Sequence, residues 1–194
     1  MMKSAAFQSD VGVERVPPLY VLSPPPHADF LMMYHAKYES ILQNLVQVSN
    51  NELFALLNVN GETQQKVNDG LLAKLKSHCG IESVMTCRAF HCKHAFSVAV
   101  KFAGTGFKMV YSGDTRPTSE LVQLSQVGGK SDLVIHEATI EHGMVNRAMH
   151  ARHSTVKEAI QQTGEMGAKF TILTHFHPGL AASSVNRFLL INND

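Results

Sequence analysis

The sequence has no apolar run near the ~20 residues a helix needs to cross a bilayer; runs such as Phe30 to Tyr34 and Phe188 to Ile191 are far shorter. No membrane-spanning segment is expected. Cysteine is scarce: Cys79, Cys87 and Cys92 are odd in number and form no Cys-x-x-Cys pair. That excludes a disulfide scaffold and a structural zinc ribbon, and it points to a reducing compartment. Charge of either sign is nearly balanced, with 17 Lys and Arg against 16 Asp and Glu. The strongly basic footprint of a dedicated nucleic-acid domain is therefore missing, although a local grip on RNA remains compatible with it. Met1 to Val16 lacks the continuous apolar core of a secretory signal, so secretion is not expected. There is no internal repeat, and no low-complexity stretch beyond Pro17-Pro18 and Pro24-Pro25-Pro26.

What is present fits one ordinary domain: 194 residues, 44% of them apolar, can bury a core without a metal or disulfide staple. Histidine is the distinctive feature, with eight of eleven lying between His91 and His177. Residues 1–26 read as a proline-rich lead-in holding one short strand at Leu19 to Leu22. From His27 to about Val48 no Gly or Pro interrupts apolar residues at helical spacing, which predicts a long amphipathic helix. A second helix is expected around Gln65 to His78, stopped by Gly80. Beyond it the pattern changes to short β-branched or alternating runs: Val84 to Phe90, Phe96 to Phe102, Phe107 to Tyr111, Leu133 to Ile135 and Phe170 to Leu173. Helical segments Thr118 to Val127 and Thr155 to Met166 lie between them, the latter opened by the capping-box spelling Thr155-x-x-Glu158. Interleaved strands and helices predict an α/β layered sheet.

Four strand candidates are followed by residues able to bind metal or move a proton: His91, Asp114, His136-Glu137 and His175. Strand ends in α/β sheets open onto the binding crevice. Imidazole and carboxylate suit Zn²⁺ or Mn²⁺, and a carboxylate can bridge two ions. Any single histidine is more often a hydrogen-bonded or solvent-facing residue than a ligand, and Gly113-Asp114-Thr115 alone could be a turn. His27, His35, His78, His142 and His150 join no constellation. Cys87 and Cys92 are expected to be buried apolar side chains.

The strings HCKHAF (His91 to Phe96), YSGDT (Tyr111 to Thr115), HEAT (His136 to Thr139), HST (His153 to Thr155) and THF (Thr174 to Phe176) follow in order. Together they resemble the C-terminal half of long-form tRNase Z, the zinc phosphodiesterase of the metallo-β-lactamase superfamily that removes 3′ trailers from precursor tRNA. The resemblance runs over residues 17–176. It implies a metallo-β-lactamase-like αββα fold, incomplete here, with residues 27–176 as a partial catalytic domain and 177–194 as a tail that does not match. It implies two zinc ions, or Mn²⁺, with His91 on one, Asp114 bridging both and His175 on the other. It further implies that Glu137 orients His153 to protonate the leaving ribose oxygen, with His94, His136, Thr139 and Thr155 supporting. Precursor tRNA is then the expected partner, and nucleus, mitochondrion or cytoplasm the expected compartment.

The sequence departs from that family in three places. The family's H-x-H-x-D-H ligand segment is absent, and His27-Ala28-Asp29 lacks its flanking histidines. Ser97 stands where the family has glycine. After Phe176 comes His177-Pro178-Gly179-Leu180, of which His177 is a conceivable substitute ligand. These departures keep a second reading open, a catalytically inactive, truncated family member that acts as a binding protein, and they predict dimerisation or a missing N-terminal half. A thioester- or lactam-cleaving branch of the superfamily is a third reading, which the HEAT and HST pair disfavours.

Overall fold

A computed structural model describes residues 18–38, 44–53, 56–57, 63–64, 69–177 and 189–192. Its centre is a six-stranded sheet built from β5 (Ile81–Arg88), β6 (Phe96–Phe102), β7 (Lys108–Tyr111), β8 (Leu133–Glu137), β9 (Phe170–Thr174) and β10 (Leu189–Asn192). These strands lie in the order β10-β9-β8-β7-β6-β5. The pairs β5–β6 and β6–β7 are antiparallel, β7–β8–β9 are parallel, and β10 closes one edge antiparallel to β9. Since β5 and β7 both run against β6, the C-terminal ends of β5, β7, β8 and β9 all meet at one end of the sheet. The α/β fold expected from the interleaved pattern is the fold observed.

The sheet is buried on both faces, which is why β5 reads Val84-Met85-Thr86-Cys87 without polar alternation. On one face Met85, Cys87, Ala99, Val110 and Val134 pack with Leu121 and Leu124 of α3 (Ser119–Gln126) and Met166 of α5 (Val156–Met166). On the other, Val84, Val98 and Val100 meet Leu71, Leu72 and Leu75 of α2 (Asp69–Cys79) and Val48 and Leu53. Helix α5 buries Ala159, Gln162, Thr163 and Met166, the i, i+3, i+4, i+7 stripe of a helix lying on a sheet. Its start is the anticipated capping box: the Thr155 hydroxyl accepts from Glu158 N–H, and the Glu158 carboxylate accepts from Thr155 N–H.

The long helix expected over His27 to Val48 is not formed. Helix α1 spans Pro25–Lys37, with proline tolerated in its first turn, and Leu45–Ser49 is a strand, β2; residues 39–43 lie outside the described residues. β2 pairs in parallel with β1 (Leu19–Ser23), Leu22 opposite Val48. Pairing with a remote strand and burial of Val48 outweigh the local helical spacing. No residue of α1 is buried: Phe30 is 51% exposed and Met32 62%. Several elements lacked a clear sequence signal: the short antiparallel pair β3 (Leu56–Leu57) and β4 (Thr63–Gln64), α4 (Val145–Ala151), and β10 within the tail. Among the described residues no helix is long and apolar enough to cross a membrane.

Candidate metal and acid-base centre

The shared end of the sheet gathers His91, Asp114, Glu137, His153 and His175. Asp114 follows β7 through Gly113, whose φ is +60°. A Cβ there would stand 2.9 Å from the Phe96 carbonyl oxygen, so this turn requires glycine. Ser97 is fully buried and donates to the Ser112 carbonyl at 2.6 Å, tying β6 to the same turn. The Ser112 hydroxyl in turn accepts from Glu137 N–H at 3.0 Å. Ser97 thus adds a strut beneath Asp114.

Glu137 ends β8 with only 2% of its surface exposed. Its Oε1 accepts from Thr115 N–H at 2.7 Å and from His153 Nδ1 at 2.9 Å; its Oε2 accepts from Thr139 Oγ1 at 2.6 Å and Thr139 N–H at 3.2 Å. Four donors converge on the two oxygens, as a buried carboxylate requires.

The three histidines share one tautomeric logic. His91 Nδ1 faces the Arg152 carbonyl at 2.9 Å, His153 Nδ1 faces Glu137, and His175 Nδ1 lies 2.7 Å from the Thr139 hydroxyl. That hydroxyl gives its single proton to Glu137, so toward His175 it accepts. Each ring therefore carries its proton on Nδ1 and offers the Nε2 lone pair, the arrangement that second-sphere hydrogen bonds impose on metal-binding imidazoles. Asp114 lies between two of them, Oδ2 at 3.9 Å from His91 Nε2 and Oδ1 at 3.6 Å from His175 Nδ1. The His91 and His153 rings are 4.7 Å apart, and those of His153 and His175 5.6 Å. Ligand atoms of His91, Asp114 and His153 all lie within 4.8 Å of one another, as do those of Glu137, His153 and His175. Borderline nitrogen donors with one carboxylate suit zinc. Burial, with Asp114 and Glu137 close by, pushes the Tyr111 phenol up.

Two supports were not anticipated from sequence. Arg152, in the left-handed region at φ +57°, ends α4 and donates from Nη1 to the His91 carbonyl at 2.7 Å, the reciprocal of the His91 to Arg152 contact. Arg116 donates to the His153 carbonyl at 2.8 Å and forms a two-pronged ion pair with Glu158. Burial alone would raise the Glu158 carboxyl, but Arg116 and Thr155 hold it below its ordinary value. Neither arginine belongs to a chemically suggestive string, and both act on residues far away in sequence. Thr139, read as a supporting residue, is the hinge of the network, touching Glu137, His153 and His175. His136 is wholly buried, bonded to the Glu137 carbonyl and Gln162. His177 lies outside both clusters, its Nε2 3.4 Å from Arg147. Cys87 is buried as expected, with its thiol pushed up to about 12, whereas Cys92 is exposed, because it sits in the β5–β6 connection rather than in a strand.

Residues 82–176 match the family described as β-lactamase superfamily domain. "Zinc phosphodiesterase ELAC protein 2" of Macaca fascicularis is 35% identical over 159 residues, covering 82% of this chain and 18% of that protein. "Ribonuclease Z, mitochondrial" of Drosophila melanogaster is 36% identical over 166 residues, covering 84% and 20%. The chain thus spans about a fifth of the length of these curated relatives. The crystal structure of a long-form RNase Z from yeast superposes with a TM-score of 0.71 at 28% identity, covering 84% of this chain and 25% of that one. Fold, ordered strand-end residues and these similarities agree: residues 82–176 form a β-lactamase superfamily domain, and most of the chain is similar to part of a long-form ribonuclease Z.

Proposed function

We propose that this chain supplies part of the phosphodiester-hydrolysing centre of a tRNA 3′-processing endoribonuclease. The observation that carries the reading is the convergence of three histidines, each with Nδ1 engaged and Nε2 open, around Asp114 and the Glu137–His153 pair. His91, Asp114 and His175 are the residues that would hold the metal, zinc or manganese. Bound metal supplies Lewis acidity toward the phosphate oxygens and a water acidic enough to attack.

The chain's own residues supply the leaving-group chemistry. Glu137 Oε1 holds the His153 Nδ1–H, which aims Nε2 away from the protein interior. From Nε2 the imidazolium form passes a proton to the departing ribose oxygen, and the fixed carboxylate stabilises that cation. Arg116 holds the His153 carbonyl and Arg152 the His91 carbonyl, fixing the backbone of both histidines.

The 194 residues contain no H-x-H-x-D-H string. Full coordination of two ions therefore draws on ligands beyond these residues, from further sequence or a second copy. A mitochondrial setting accords with the Drosophila relative's name.

The test is cleavage of a 3′-extended precursor tRNA by the purified chain with Zn²⁺ or Mn²⁺, beside Asp114→Ala and His153→Ala. Weak cleavage that is lost in both variants is expected. A folded, zinc-binding chain that leaves the precursor intact would instead assign it a non-catalytic binding role, which the exposed apolar residues of α1 favour.

A further inference from the structure

Beside the histidine cluster lies a cavity of about 520 Å³ lined by Arg88, Phe90, His91, Lys93, Glu120 and Arg152, among others. It shares His91 and Arg152 with the cluster's wall but contains neither Asp114 nor Glu137. Its volume falls within the roughly 300–1,000 Å³ of small-ligand sites, enough for a nucleotide-sized unit.

Three side chains of this cavity are cations against one carboxylate, Glu120, a local excess of two positive charges in a protein whose formal net charge is +1. Arg88, Lys93 and Arg152 are all exposed. Phe90 is 59% exposed, an aromatic ring left in water at the edge of this cationic wall. Its backbone is not loose: its N–H donates to Thr115 Oγ1 at 2.9 Å, and its carbonyl accepts from Arg116 N–H at 3.0 Å. Both anchors belong to the loop that carries Asp114. The ring is thus held outward by a fixed backbone, at little entropic cost to a stacking partner.

We infer that the Arg88–Phe90–Lys93–Arg152 cavity is a binding subsite for single-stranded RNA flanking the scissile phosphodiester. Phe90 stacks on one base, while Arg88 and Lys93 face the adjoining phosphates. A stacking ring beside cations is the combination that binds unpaired nucleic acid with little sequence preference. An acidic peptide would use the cations but leave the ring without a partner. The inference rests on the proposed reading that the neighbouring cluster acts on RNA, but it is a claim about binding and needs no metal.

The experiment measures binding of a fluorescein-labelled single-stranded oligoribonucleotide by anisotropy, in EDTA, across a salt series. Wild type is compared with Phe90→Ala, Phe90→Tyr, Lys93→Gln and, at the opposite end of the sheet, Lys130→Gln. Phe90→Ala weakens binding about tenfold, and Phe90→Tyr restores it. Lys93→Gln lowers the slope of log K against log salt by about 0.7, the loss of one phosphate contact on a single strand; Lys130→Gln leaves the slope unchanged. The inference is overturned by no binding in wild type, by unaltered affinity in Phe90→Ala, by equal slope losses in Lys93→Gln and Lys130→Gln, or by polyglutamate competing as well as RNA. Asp114→Ala separates the two claims: it keeps oligonucleotide binding while losing any cleavage. RNA binding without cleavage leaves the subsite standing and removes the catalytic reading; cleavage indifferent to Phe90 and Lys93 does the reverse.

Discussion

Replacing Glu137 by glutamine exchanges one acceptor oxygen for a donor in a buried site where four donors already converge. If the amide oxygen keeps Thr115 N–H and His153 Nδ1–H, the new NH₂ group faces Thr139, whose hydroxyl must then accept. Its proton swings to His175 Nδ1, 2.7 Å away, so the His175 ring must move its own proton to Nε2. The Thr139 N–H still confronts a donor. If the amide flips, its NH₂ opposes both Thr115 N–H and His153 Nδ1–H. Either way at least one buried N–H loses its partner, a cost of about 1–3 kcal/mol. In the first arrangement His175 also loses the Nε2 lone pair, so zinc affinity falls about 10–100-fold. Urea unfolding of the metal-free protein reads the first effect, competition with a chromophoric zinc chelator reads the second, and ¹⁵N imidazole spectra report the His175 tautomer. Zinc affinity and stability both unchanged, within about 0.5 kcal/mol, would refute the assigned network.

Gly113→Ala places a side chain in a left-handed turn against the Phe96 carbonyl; thermal unfolding should show a loss of at least about 1–2 kcal/mol, with weakened zinc binding because Asp114 is displaced. Thr155→Ala removes the hydroxyl of the α5 capping box, and a denaturant titration should register about 1 kcal/mol lost. Lys108 is 3% exposed, with Nζ donating to the carbonyls of Ser125, Val127 and Gly129, and burial together with Lys101 lowers its pKa to about 8 from 10.5. Between those values the unfolded chain holds the proton that the native protein has released, so unfolding free energy rises with pH from about 8 to 10.5, by up to about 3 kcal/mol. That increment is lost again as pH falls through 8; urea midpoints at pH 7.5 and 9.5 should show it, and Lys108→Met should flatten the difference.

Local chemistry made much of this protein readable before folding. β6 runs over Phe96–Phe102 as its alternation requires, and α5 begins where Thr155-x-x-Glu158 spells a cap. The strand-end residues His91, Asp114, Glu137 and His175 do converge with His153, because parallel strands must deliver their C-terminal ends to one side of the sheet. Helix α1 shows the limit: a clean apolar spacing over His27 to Val48 yields to strand pairing for Leu45–Ser49, since the partner strand lies more than twenty residues away.

The sequence by itself therefore determined most of the element types beyond Gly80, the order of the chemical strings and the superfamily they resemble, all properties of neighbouring residues. Only the tertiary structure decided which nitrogen each histidine offers, that Thr139 links Glu137 to His175, that Arg152 and His91 clasp each other across 61 positions, and that Phe90 stands in solvent beside three cations. Those outcomes depend on which distant backbone carbonyl or side chain arrives alongside, and no local pattern encodes that.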